Sequence, residues 1–128
     1  MTALSDFLEN RIFNEILRNV DYAPPATVYV ALFTTATSDD GSGTEVTGGS
    51  YARQAVTFAA PSNGAASNNA ACTFPQATGN WGTITHFALM DASSGGNMLL
   101  HGPLTASKVV NSGDVFTFPS ASLTVTFS

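Results

Sequence analysis

The chain has 128 residues, a formal net charge of −5 and only 10% charged residues, of which four are Lys or Arg. So few cations exclude a basic face for nucleic acid or for an anionic membrane, because both are bound through clustered positive charge. The 44% hydrophobic content is enough for one core, so we expect a single domain over residues 1–128, with no signal peptide and no membrane span.

The first element in the chain is an amphipathic helix, predicted over residues 5–20. Apolar residues recur every four positions from Leu4 to Val20, which is a helical period. Ser5 or Asp6 can cap the start of the helix, and Asp6 with Glu9 has the spacing of a capping box. Pro24-Pro25 forbids continuation, because proline lacks the N–H group and clashes with the preceding turn.

The apolar positions of this helix cover more than the ~100° stripe that packing on one sheet requires. We therefore expect part of the helix to contact a second body, with Phe7, Phe13 and Leu17 as candidate interface residues. The alternative is that the excess apolar face is covered by the long, mildly acidic loop 35–49 of the same chain.

From residue 27 onwards the apolar period changes to two, which predicts a β body over residues 27–128. About eight short strands separated by Gly, Asn, Ser and Pro turns are typical of an antiparallel β-sandwich or a jelly-roll barrel. The fold class is therefore mainly β with one N-terminal amphipathic α-helix. The predicted strands are 27–34, 51–58, 69–74, 82–90, 97–101, 108–110, 115–118 and a C-terminal strand in which Leu123, Val125 and Phe127 face inward while Thr124, Thr126 and Ser128 face outward.

Few residues are available for chemistry. His86 and His101 are the only histidines, and the nearest acidic residues fall in turns, which favours a structural role over a catalytic dyad. Cys72 alternates with apolar residues and is interpreted as a small buried hydrophobe. No motif brings together a nucleophile, a base and an oxyanion site, so we expect no enzymatic activity, no catalytic residue and no cofactor.

Two further features have competing interpretations. Asp39, Asp40 and Glu45 share the glycine-rich loop 35–49, but their spacing matches no ordered cation-binding loop, which favours a solvated turn over a metal site. Trp81 lies between glycines and is a candidate interface residue, although a place in the core is the preferred interpretation.

Five blocks of the sequence together resemble a group of small virion proteins of tailed bacteriophages, labelled as tail-fibre or decoration-like proteins. The blocks G-x-Y-A-R-Q at 49–54 and W-G-T-I-T-H-F at 81–87 are the most specific parts of the resemblance. It extends over nearly the whole chain and brings no catalytic residues with it. The blocks are LSDFLEN with ILRN, APPATVYVALFT, GTEVTGGSYARQAVTF, WGTITHFALMDA and GDVFTF.

The resemblance implies a non-enzymatic structural component of a phage virion, synthesised in the host cytoplasm. One compact domain with a short terminal helix favours a capsid decoration or cement protein, which would bind itself, as a trimer, and the major capsid protein. The alternative is a structural or adhesion protein of the tail fibre, baseplate or tail tip. Neither role involves nucleic acid or a membrane.

Overall fold

A computed structural model describes residues 2–126 of the chain. The elements in chain order are β1 (Ala3–Leu4), α1 (Asp6–Arg18), β2 (Val28–Phe33), β3 (Gln54–Val56), β4 (Ala65–Ser67), β5 (Cys72–Thr73), β6 (Gly82–Met90), β7 (Met98–Val110), β8 (Thr117–Phe118) and β9 (Thr124–Thr126).

The strands form one five-stranded antiparallel sheet and two small antiparallel ribbons. The order in the sheet is β1-β7-β6-β2-β3, and the ribbons are β4-β9 and β5-β8. The large sheet ends at β1 and β3 and does not close on itself, so no closed barrel is found among residues 2–126. The mainly β, antiparallel architecture with one N-terminal helix is confirmed.

Strand β7 joins two segments that were predicted as separate strands, 97–101 and 108–110. It pairs with β6 along both parts, and the register shifts between Ile84↔Lys108 and His86↔Pro103. Pro103 therefore lies at an irregularity of the ladder, where the N–H group that proline lacks is not needed. The sequence around Gly102-Pro103 reads as an interruption, but the strand passes through it with a bulge.

The main core lies on one face of the sheet and is also lined by both ribbons. Central-strand residues such as Leu32 and Ile84 are fully buried there, because alternate residues of a strand point to the same face. Aromatic rings meet edge to face across this core, for example Phe74 with Phe116 at 5.8 Å between ring centroids. Its other buried members include Val30, Val56, Cys72, Trp81, Phe87, Leu89, Leu99, Val110, Phe118 and Leu123.

The opposite face of the sheet carries a second, smaller apolar cluster of Ala31, Phe33, Ala88, Met90 and Met98. The loop that follows β2 folds over this face. A Cβ atom added to Gly43 would lie 3.0 Å from the Phe33 ring, which shows how closely the loop backbone approaches the sheet. The sequence predicted a flexible loop here, whereas the structure uses it as the second covering layer.

The predicted outward and inward alternation of the last strand is found where the structure describes it. Leu123 is buried and Val125 half-buried, while Thr124 and Thr126 are exposed. The predictions for Phe127 and Ser128 lie outside the described residues.

Helix α1 is shorter at its C-terminus than the predicted 5–20. Ser5 caps its start, since the Ser5 hydroxyl accepts the Leu8 N–H at 3.2 Å. Asn19 ends it by adopting the left-handed conformation, φ 54°, and the Val20 N–H bonds back to the Asn14 carbonyl at 3.0 Å. The helix therefore stops several residues before Pro24, which was expected to stop it.

The turn between β6 and β7 gives a prediction about two adjacent glycines, which both have positive φ. A Cβ atom on Gly96 would overlap with Asp91 Oδ1, whereas one on Gly95 would meet nothing within 4 Å. We expect Gly95→Ala to cost about 1 kcal/mol of unfolding free energy from backbone strain alone. Gly96→Ala should cost about 1–3 kcal/mol more, because the overlap displaces Asp91. Urea unfolding of both variants measures this, and equal losses would contradict the packing argument.

Candidate interaction surface

The start of helix α1 is fixed to the body by three hydrogen bonds. The Ser5 N–H donates to the Leu99 carbonyl at 2.9 Å, and the buried Ser5 hydroxyl donates to the Met98 carbonyl. The Asp6 N–H donates to the Asp39 carbonyl of the loop at 2.8 Å. Because these bonds join the helix to both β7 and the loop, the direction of α1 is set by the body.

One side of α1 packs against the rest of the chain. Phe7 and Leu8 are half-buried against the main core. Phe7 also meets Tyr22 edge to face at 6.4 Å, and the Arg11 guanidinium lies 5.0 Å from the Phe7 ring and 5.9 Å from the Tyr22 ring. The segment after the helix therefore folds back along it through an aromatic and cation–π cluster.

The other side of α1 carries an outer apolar stripe of Phe13, Ile16, Leu17 and Val20. These side chains are 59%, 72%, 71% and 45% exposed, and no residue of the helix is buried. The spacing i, i+3, i+4 places Phe13, Ile16 and Leu17 on one face of the helix, and Val20 follows just after the helix ends at Asn19. Phe13 comes six positions after Phe7, so at 3.6 residues per turn their side chains point about 120° apart.

The structure separates the four candidate interface residues into three environments. Phe13 and Leu17 belong to the outer apolar stripe. Phe7 lies at the junction between the helix and the body. Trp81 is in the core, and its indole N–H donates to the Gly49 carbonyl at 2.9 Å, so it offers no surface to a partner.

Two members of the stripe, Ile16 and Val20, were not singled out from the sequence, although the 13-16-17-20 spacing was available there. The alternative expectation, that loop 35–49 covers the excess apolar face, does not describe the structure. The loop lies against the sheet and leaves these side chains exposed.

The histidines and the cysteine have structural surroundings. His101 is buried, with Nδ1 2.8 Å from Thr37 Oγ1 and Nε2 2.8 Å from Asp39 Oδ1, and so fastens the loop to the sheet. His86 is half-buried and contacts the hydroxyl of the adjacent Thr85. Burial raises the pKa of the Cys72 thiol, which disfavours the reactive thiolate.

The three loop carboxylates point to different partners. Asp39 contacts His101, and Asp40 accepts the Ser42 N–H at 2.9 Å. Glu45 is paired with Arg53. Over residues 2–126 no group of three or more His, Cys, Asp or Glu side chains is arranged to hold a metal ion.

Glu45 is the centre of a half-buried hydrogen-bond network. The Arg53 guanidinium donates to both of its oxygens at 2.8 Å, and the Tyr51 hydroxyl donates to Oε2 at 2.6 Å. Burial alone would raise the pKa of Glu45, but the hydrogen bonds from Arg53 and Tyr51 and the Arg53 charge outweigh it and hold that pKa below its ordinary value. Glu45 therefore stays ionised in the folded protein.

The two most specific sequence blocks, 49–54 and 81–87, meet each other. The Gly49 carbonyl accepts both the Trp81 indole N–H and the Thr78 N–H. Gly49 has φ +56°, and a Cβ atom there would lie 3.0 Å from Trp81 Nε1, so the contact requires glycine. This contact between the two blocks helps to hold the fold together.

Comparison with known proteins identifies the relationship of the chain. A family model described as podophage GP4 fiber I protein gp80 matches residues 3–126, which is nearly the whole chain. A search of the curated proteins finds no match. Among residues 2–126 there is no helix long and apolar enough to cross a membrane.

The Glu45 network gives a prediction for pH dependence. The pKa of Glu45 is lower in the folded protein than in the unfolded chain, so its stabilising contribution is complete at neutral pH and is lost as pH falls below the ordinary value of 4.5. We expect Glu45→Gln to lose roughly 2 kcal/mol or more at pH 7, because Arg53 loses its counter-charge, and to flatten the pH dependence in that range.

Urea unfolding at a series of pH values measures both effects. Glu15→Gln is the matched control, because it removes the same kind of carboxylate from an exposed position on α1. A Glu45→Gln variant with the same pH slope as the native protein would show that the network contributes no charge-dependent stability.

Proposed function

The chain belongs to the family of podophage GP4 fiber I protein gp80, and from this premise we propose that it is a structural component of the phage tail fibre. The family is one of phage virion structural proteins, and the match over residues 3–126 is the observation that carries the proposal. In this role the chain acts by binding neighbouring virion proteins.

The family description favours the tail fibre over the capsid. The sequence was expected to be that of a capsid decoration protein because one compact domain with a short terminal helix favours that role, and the family match supports the alternative, the tail fibre, better. What favours the fibre is that the family match names a fibre protein over nearly the whole chain. The fold supports a role in an assembly, because the helix presents an outer apolar stripe that is exposed.

The proposed role is non-enzymatic and requires no cofactor. In the described part of the chain, the groups that most often carry catalysis serve the fold: His101 holds the loop, Cys72 is buried, and Glu45 is paired with Arg53. Trimer formation, which the sequence resemblance implied, remains part of the proposal.

Copy number in the particle tests this proposal against capsid decoration. A tail-fibre component occurs in roughly three to a few dozen copies, because fibres follow the low rotational symmetry of the tail, whereas a decoration protein occurs in hundreds. We expect quantitative mass spectrometry of purified virions to give the lower number relative to the major capsid protein. Gold-labelled antibody should mark the tail. Labelling spread over the head at high copy number would contradict the proposal.

A further inference from the structure

The outer apolar stripe of α1 has no partner within the described chain. We propose that it inserts into an apolar groove, rimmed by Lys or Arg side chains, on a different protein of the virion. The inference rests on the proposed structural role in the phage particle and specifies the partner surface that this role uses.

The geometry of the stripe matches the way a helix binds in a groove. Helices that do so present anchors at i, i+3 and i+4, which is the spacing of Phe13, Ile16 and Leu17 on α1, and Val20 follows directly after the helix. All four side chains are exposed. Burial of one such side chain changes an equilibrium by roughly ten- to a hundredfold, so leaving four of them in water is a substantial cost that a partner removes.

The helix is already held in the orientation that such a groove requires. Ser5 and Asp6 fix its start to β7 and the loop, and Arg11 bridges the Phe7 and Tyr22 rings on the inner side. A partner therefore does not have to order the helix when it binds. Preorganisation of this kind increases affinity by reducing the entropy that is lost on association.

Two acidic groups lie on the face of α1 that carries the stripe. Glu9 and Asp6 precede Phe13 by four and seven residues, which places them on the same face of the helix. Between residues 2 and 126 neither of these carboxylates forms an ion pair. The two helix arginines are engaged elsewhere, Arg11 over aromatic rings and Arg18 with Asn14.

This charge pattern disfavours a second copy of the chain as the occupant. Parallel pairing of two stripes would bring Asp6 and Glu9 beside their own equivalents, and antiparallel pairing would offer them no cation, because Arg11 and Arg18 lie on the opposite side of the helix. Like charges in contact destabilise an interface. The chain has only four Lys and Arg residues, and Arg53 is already paired with Glu45. A groove with a basic rim on a different protein therefore complements this face of α1 better than a second copy of the chain does.

The test uses the full chain and phage particles assembled without it, from infection with an amber mutant of this gene. We expect Ile16→Gln combined with Leu17→Gln to reduce binding to these particles at least tenfold in cosedimentation. The matched control is Val109→Gln combined with Val115→Gln, which removes two exposed apolar side chains from the body, 55% and 47% exposed. The control should bind like the native chain, and circular dichroism checks that both variants fold.

A second pair of variants tests the basic rim. Glu9→Gln should weaken binding several-fold and reduce its dependence on NaCl concentration, because it removes a charge beside the stripe. Glu15→Gln removes the same charge from the opposite side of α1 and should bind like the native chain. If Glu9→Gln and Glu15→Gln bind the particles equally well and with the same dependence on NaCl concentration, the proposal of a basic rim is wrong.

The remaining outcomes are also decisive. If the native chain binds the particles and the variant with the Ile16 and Leu17 substitutions binds them equally well, the inference is wrong and the proposed function is unaffected. Native chain that fails to bind the particles overturns both. Light scattering coupled to size-exclusion chromatography detects the rival occupant: an oligomer that the Ile16 and Leu17 substitutions convert to a monomer would assign the stripe to a second copy of the chain.

Discussion

The ion pair between Glu45 and Arg53 connects more separate parts of this molecule than any other polar contact described above. Arg53 bonds to both Glu45 oxygens, and its remaining N–H groups donate to the Ala92 and Gly95 carbonyls in the turn between β6 and β7. Tyr51 links Glu45 to the backbone of β2 by accepting the Leu32 N–H. One half-buried carboxylate thus joins the loop after β2, the central strand and the turn that starts β7. A chain with only 10% charged residues depends strongly on such a network, because few other charges can replace it.

The same region also determines how the aromatic core is closed. Tyr51 stacks on Phe74 and meets Trp81 edge to face, with ring centroids 6.1 and 5.4 Å apart. The Gly49 carbonyl accepts the Trp81 indole N–H, and Tyr51 bonds to Glu45, the partner of Arg53. The segment that carries Arg53 therefore also positions Trp81, the largest aromatic side chain. Packing and polar bonding are therefore coupled here, and a change at one is transmitted to the other.

Local signals in the sequence predicted the elements that depend on local physics. The helical period, the Ser5 cap and the β-rich composition after residue 27 were sufficient for the fold class. The loop after β2 was not predictable, because its place on the sheet depends on His101, which is distant in sequence. The continuity of β7 through Pro103 depends equally on pairing with β6. For the candidate site, periodicity identified Phe13 and Leu17 as excess apolar residues but could not show which face of α1 the body would cover.

The two sides of α1 have different roles. This explains why the apolar residues cover more of the helix surface than packing against the body requires. Phe7 and Leu8 attach the helix to the core, and the Arg11 cluster closes that side. The outer side contributes little to folding of the described chain, since its side chains are 45–72% exposed. Its apolar residues therefore reduce solubility without stabilising the fold, and an assembly that buries them accounts for their presence. The acidic groups beside them limit self-association, which keeps this surface available for a partner of opposite charge.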